Sequence, residues 1–181
     1  MNYFVEYIRQ TMRFVIKAMS FVPAIVMLIL IFMFSEQDGE KSGALSYEVG
    51  VRVITYTNET LDKGWTAPQI SNMTENGQVY IRKAAHFVEY FLLAVSVAFP
   101  LYVYGLRGPQ LVLIAGVFCV GLSVLDECHQ FFSAGRTPRK FDVAVDTVGI
   151  LCGIIFTRFV GWTGRKTIFR PLSNNDKKSR G

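Results

Sequence analysis

The stretch FVIKAMSFVPAIVMLILIFMF, residues 14–34, decides the class of this protein. Its only charge is Lys17, and about 20 predominantly apolar residues are what a helix needs to cross a bilayer. Pro23 does not exclude a spanning helix, because spans tolerate proline when neighbouring groups satisfy the freed backbone. Arg9, Arg13 and Lys17 precede or open the stretch, as in a secretory signal. The apolar run is long for a signal, and no small-x-small cleavage site follows Phe34, so an uncleaved helix is expected.

Three further apolar runs follow, at about residues 87–104, 111–126 and 141–162. The second and third are joined by Gly105-Leu106-Arg107-Gly108-Pro109, a tight turn between antiparallel helices. The whole chain of 181 residues is 51% hydrophobic with a mean hydropathy of +0.30, too apolar for an ordinary soluble domain of this size. The expected fold is an all-α membrane protein, a bundle of four transmembrane helices over residues 1–165. A basic tail, 166–181, follows it. Cys119, Cys128 and Cys152 show no disulfide spacing.

Charge bias sets the expected orientation. The start of the chain is basic, and the tail from Arg165 is basic too. The segment Ser35 to Ile81 carries seven acids and three bases. Both termini are expected to be cytoplasmic and the acidic segment external, in a bacterial cytoplasmic membrane. Within that segment Leu45, Val49, Val53 and Tyr56 recur at helical spacing. They suggest an amphipathic helix lying on the outer surface or covering the bundle mouth; a solvated connector is the alternative. Asn58-Glu59-Thr60 and Asn72-Met73-Thr74 match glycosylation sequons, a pattern short enough to arise by chance.

This topology carries every unusual polar residue to the external mouth. The first span ends at Ser35-Glu36-Gln37. The second opens with Arg82, Lys83, His86 and Glu89. The third ends in Asp126, Glu127, His129 and Gln130, and the fourth opens with Asp142 and Asp146. Ionisable groups at membrane depth are costly and usually functional. At about 100° per residue, Arg82, His86 and Glu89 share one stripe, and Asp126, His129 and Gln130 share another. Asp142, Asp146, Gly149 and Gly153 form a third. The small-xxx-small pair Gly149 and Gly153 allows close helix packing, so the acids above them should face neighbouring helices.

The loop between the third and fourth spans carries Arg136, Arg139 and Lys140, against the positive-inside bias. Arg forks suit phosphate or carboxylate. The expected division is a floor of His86, Glu89, Asp126, Glu127, His129, Asp142 and Asp146, candidates for proton transfer. Above it lies a ligand-binding rim of Ser35, Gln37, Arg82, Lys83, Gln130, Arg136 and Arg139. Charges at helix ends also simply reach for water, and Arg82 with Glu89 or Arg136 with Asp142 could be structural ion pairs. The floor supplies donors for a divalent metal, although no His-x-x-x-His or Glu-x-x-His signature is present.

These blocks together resemble the VanZ-like membrane protein family. The blocks are Ser35-Glu36-Gln37, Arg82-Lys83-x-x-His86-x-x-Glu89-Tyr90, Asp126-Glu127-x-His129-Gln130, Arg136, and Asp142-x-x-x-Asp146-x-x-Gly149. Each is short, but their order and spacing span most of the chain. In the family pattern the place of Asp146 takes Asn or Asp, and Glu36 falls at a variable place. The resemblance implies a small bacterial envelope protein associated with resistance to teicoplanin, a lipoglycopeptide, but implies no reaction.

Three functions compete: a site binding an anionic lipid-linked or glycopeptide ligand, an intramembrane His/carboxylate enzyme acting on such a lipid, and a small transporter. The transporter is weakest, since the inner half of the bundle lacks polar steps. No P-loop, nucleotide fingerprint, nucleophile elbow or nucleic-acid motif occurs in the sequence. The partner expected is membrane lipid or a lipid-linked envelope molecule, with no nucleic acid; the basic tail suits anionic inner-leaflet lipid.

Overall fold

The computed structural model describes residues 2–37, 39–130 and 140–167. Among them the chain forms six α-helices: α1 (Asn2–Met19), α2 (Val22–Ser35), α3 (Gly39–Thr60), α4 (Ala67–Val103), α5 (Gly108–Gln130) and α6 (Lys140–Thr167). Among the described residues, four helical stretches are long and apolar enough to cross a membrane: Lys17–Ser35, Ala67–Val103, Gly108–Gln130 and Phe141–Thr163. The protein is an all-α membrane protein of the expected kind.

The first span is not one continuous helix. The helix turns at Ser20 and Phe21, where backbone bonds run three residues back to Lys17 and Ala18, and restarts at Val22. Pro23 lies in the first turn of α2, where its missing N–H costs nothing. The break thus belongs at the proline, near the end of the span that carries Lys17.

The second span extends well beyond its apolar part. α4 runs for 37 residues, about 55 Å at 1.5 Å per residue, against a hydrocarbon core of about 30 Å. It opens with a capping box between Thr66 and Gln69 and has Pro68 in its first turn, signals that start a helix independently of hydropathy. The N-terminal half of α4 pairs with α3 as a helical hairpin. The Asn58 side chain closes the hairpin, accepting from the Trp65 N–H at 2.8 Å and donating to its carbonyl at 3.1 Å.

α3 is the helix that the spacing of Leu45, Val49, Val53 and Tyr56 suggested, but these residues do not face α4. All four are exposed. The face toward α4 is made by Gly50, against Thr74 and Ile81, and by Tyr47, which bonds to Ser71 at 2.8 Å. A small residue and a polar pair bring the two helices closer than a row of branched side chains would. Val49, Val53 and Tyr56 are left pointing outward, while Leu45 reaches the mouth of the bundle.

α4 is central and touches α2, α3, α5 and α6, most extensively α6. Gly149 and Gly153 explain the closeness of that pair. A Cβ on Gly149 would lie 2.5 Å from the Phe87 carbonyl oxygen, and one on Gly153 2.5 Å from that of Phe91. The core between the helices holds Tyr90, Leu93, Ala94 and Val97 of α4, Leu111, Ala115 and Cys119 of α5, and Ile150 and Ile154 of α6. Ile25, Ile29, Leu113, Val117, Ile155 and Phe159 point outward and supply the lipid-facing surface.

The turn between α4 and α5 is the expected one. Gly105 (φ +102°) and Gly108 (φ +60°) adopt conformations that disfavour side chains. Contacts at the two ends of the bundle show the alternation of the spans. Phe21 meets Tyr104 at one end, with ring centroids 5.7 Å apart. At the other, Ser35 meets His129, and His86 meets Asp146.

Candidate functional site

The end of the bundle that holds Ser35, His86, Asp126 and Asp146 is built from four helices. α2 delivers Ser35 at its last residue, and α4 delivers Arg82, His86 and Glu89 from successive turns. α5 brings Ser123, Asp126 and Gln130, and α6 brings Asp142 and Asp146. Asp146 is fully buried and Asp126 is 4% exposed. Carboxylates so placed need partners.

Asp146 accepts a hydrogen bond of 2.6 Å from the Ser123 hydroxyl through Oδ2. Its other oxygen, Oδ1, lies 3.4 Å from Nδ1 of His86. That separation is an ion-pair contact when the imidazole is protonated, without the alignment of a hydrogen bond. Asp142 and Glu89 also act electrostatically on His86. Ser123, Asp146 and His86 thus form a chain that orients the imidazole, as second-layer carboxylates do in many sites.

Asp126 has its own set of neighbours. Gln130, one turn on, donates to Oδ2 at 3.1 Å. The Ser35 hydroxyl and the Tyr90 phenol lie at the same carboxylate. The Tyr90 hydroxyl and Asp126 Oδ1 are both buried without an aligned hydrogen bond. Ser35 also reaches His129 Nδ1 at 3.3 Å, and the His129 ring packs edge-on to Phe32.

A cavity of about 100 Å³ opens over these groups. Its polar lining is Ser35, Gln37, Ser42, Ser46, Arg82, His86, Glu89, Asp126 and Gln130; Ile31, Phe34, Leu45 and Ala85 complete it. The first turns of α3 therefore cover one side of the mouth. The structure brings His86, Glu89, Asp126, Ser35, Gln37, Arg82 and Gln130 to one cavity and puts Asp146 directly behind His86. Other candidates lie outside it. His129 joins the site through Ser35, while Glu127 and Asp142 are buried near it without lining the cavity. Lys83 places its ammonium 3.6 Å from the centre of the Phe141 ring, so it ties α4 to α6 rather than lining the mouth. Arg136 and Arg139 lie outside the described residues.

Ser123 and Tyr90 escaped the sequence reading as site residues. The signal for Ser123 was present: it is a polar residue in an apolar run, three positions before Asp126 and so on the same helical stripe. Tyr90 was visible beside Glu89, but its burial depends on packing against α5 and α6. Ser42 and Ser46, one turn apart on α3, carried no signal, because their role depends on how α3 folds back.

Among the described residues, no three His, Cys, Asp or Glu side chains are grouped so as to hold a metal ion. The donors are divided instead between two carboxylate centres, each satisfied in part by hydroxyl, phenol or amide groups.

The fold and this site define a small polytopic α-helical membrane protein with a polar, carboxylate- and histidine-lined cavity at one end of its bundle. The chain belongs to the VanZ/LLP1 family, whose family model it matches over residues 20–161. No curated protein and no solved structure matches it.

Proposed function

We propose that the cavity binds the polar head of an anionic lipid-linked or glycopeptide molecule of the bacterial envelope, and that the protein thereby contributes to teicoplanin tolerance. The observation that carries this reading is the convergence of buried polar atoms under one small opening. Asp126 Oδ1 lacks an aligned partner, the His86 ring lines the opening with Nδ1 turned away to Asp146, and Arg82 stands at the mouth. Buried polar groups left short of hydrogen bonds are expensive unless something else completes them. A headgroup bearing hydroxyls and an anionic group supplies both needs: a donor for the Asp126 carboxylate and a negative charge for Arg82. The apolar outer surface of the helices places the protein in the bilayer that the lipid chains of such a molecule would occupy.

Arg82 provides the direct test. Cells expressing the protein should lose part of their teicoplanin tolerance with Arg82→Lys, and more with Arg82→Gln. Lys retains charge without the paired donors. Purified protein in lipid nanodiscs, titrated with teicoplanin, should show the same order, with Gln weakening binding about tenfold or more. Equal binding by all three forms would exclude the cavity as the binding site.

A catalytic reading is favoured by one feature, the Ser123–Asp146–His86 chain. With Nδ1 turned to Asp146, Nε2 is the ring nitrogen left for a group in the cavity, as a general base requires. Release of a modified lipid on incubation with envelope lipids, lost in His86→Gln, would establish it.

Orientation in the bacterial cytoplasmic membrane follows from the charge bias, with both termini inside. In a background lacking Cys119, Cys128 and Cys152, an impermeant thiol label on intact cells should modify Lys63→Cys in the exposed α3–α4 connection and leave Ser173→Cys untouched. The reverse pattern would invert the topology and place the cavity on the cytoplasmic side.

A further inference from the structure

The opposite end of the bundle carries a second, larger cavity of about 370 Å³, formed where the α4–α5 turn meets the last turns of α6. Its lining combines Arg107, Arg158, Tyr102 and Trp162 with Ile155 and Phe159. The Arg107 guanidinium lies over the Tyr102 ring, 5.8 Å from its centre, which holds it toward the bundle. Arg158 interrupts the fourth apolar span. An arginine there is costly unless it reaches the interface or an anionic partner. Among the described residues neither guanidinium is paired with a carboxylate.

The surroundings mark this place as a membrane interface. Tyr102, Tyr104 and Trp162 gather there, with Lys17 over the Tyr104 ring, the aromatic and basic belt typical of a bilayer boundary. Ile155 and Phe159 are strongly exposed and continue from the cavity along the lipid-facing side of α6. Gly108, the first residue of α5, also lines the cavity, so the positive end of that helix adds to the two guanidinium charges. Two cations, a helix start and an apolar track leading into the bilayer match the parts of one molecule: a phosphodiester attached to acyl chains.

We propose that the cavity between Arg107 and Arg158 binds the headgroup of an anionic phospholipid, its phosphodiester between the two guanidiniums and its chains along Ile155 and Phe159. This site is separate from the cavity at Asp126 and His86 and does not depend on the function proposed for it.

The test uses the full chain with Trp65→Phe, which leaves Trp162 as the single indole. It is reconstituted in phosphatidylcholine vesicles with increasing dibrominated phosphatidylglycerol or, in parallel, dibrominated phosphatidylcholine. Quenching of Trp162 should saturate at a mole fraction about tenfold lower for the anionic lipid, the preference expected of two interfacial arginines. Arg107→Gln together with Arg158→Gln should abolish the difference. Both side chains are exposed, so the variant should melt like the parent in detergent. Equal quenching by the two lipids in the parent overturns the proposal. So does a preference that survives in the double variant, since it would then belong to the basic tail. Relief of quenching by millimolar glycerol 3-phosphate would make a soluble phosphate the occupant and overturn the lipid assignment.

Discussion

Substituting His86 by Ala, or Asp146 by Asn, is expected to abolish the teicoplanin tolerance proposed for this protein, returning susceptibility to that of cells without it. His86 lines the cavity and Asp146 holds its Nδ1 side, with Ser123 fixing the carboxylate from behind. No other described imidazole lines that cavity. A loss of function alone would be ambiguous, because His86→Ala leaves Asp146 buried without its imidazole neighbour. Breaking a buried pair in this way costs about 3 kcal/mol. The double variant His86→Leu with Asp146→Leu separates the two effects. It removes both partners and fills the space with apolar atoms, so its melting temperature in detergent should recover toward the parent's while the phenotype stays absent. Recovery of the phenotype along with stability would mean that the pair only holds the bundle together, and the cavity would lose its proposed role.

The second large effect is expected at the α4–α6 contact. Gly149→Ala and Gly153→Ala should each lower stability substantially, and the Leu substitutions should prevent assembly of the bundle. The new Cβ would meet the Phe87 and Phe91 carbonyl oxygens at 2.5 Å, and backbone cannot rotate aside as a side chain can. Overpacking of this kind costs about 1–3 kcal/mol or more. Gly121 in α5 is the internal control. Nothing lies within 4 Å of its would-be Cβ, so Gly121→Ala should be neutral or stabilise by about 0.5–1 kcal/mol through helix propensity. Thermal unfolding of the three Ala variants in one detergent reads the contrast directly. Equal melting of Gly121→Ala and Gly153→Ala would remove close approach as the basis of the α4–α6 interface. Loss of this interface should also silence the site, since it places Asp146 against His86.

The number and approximate place of the spans were legible in the sequence, because the bilayer demands about 20 apolar residues in a row and tolerates little else. The turn at Gly105–Gly108 was legible for the same local reason, as were the stripes of His86 and Glu89, of Asp126 and Gln130, and of Asp142 and Asp146. The facing of Gly149 and Gly153 toward a neighbour followed from their spacing. These features depend on hydropathy and helical phase, which short-range order encodes.

What remained for the tertiary structure was partnership. Helical phase shows which residues share a face but not which face of which helix meets it. Only the packed bundle decided that Asp146 pairs with Ser123 and His86, while Asp126 is served by Gln130, Ser35 and Tyr90. It also decided that Lys83 lies on Phe141 and that α3 turns Gly50 inward and Val49, Val53 and Tyr56 out. The cause in each case is steric. Close approach at glycines fixed the α3–α4 and α4–α6 spacings, and the side chains around them took the positions that those backbones left open. The joining of Arg107 to Arg158, 51 residues apart in the chain, has the same origin: antiparallel spans bring the start of one helix beside the end of another, and no local pattern records that meeting.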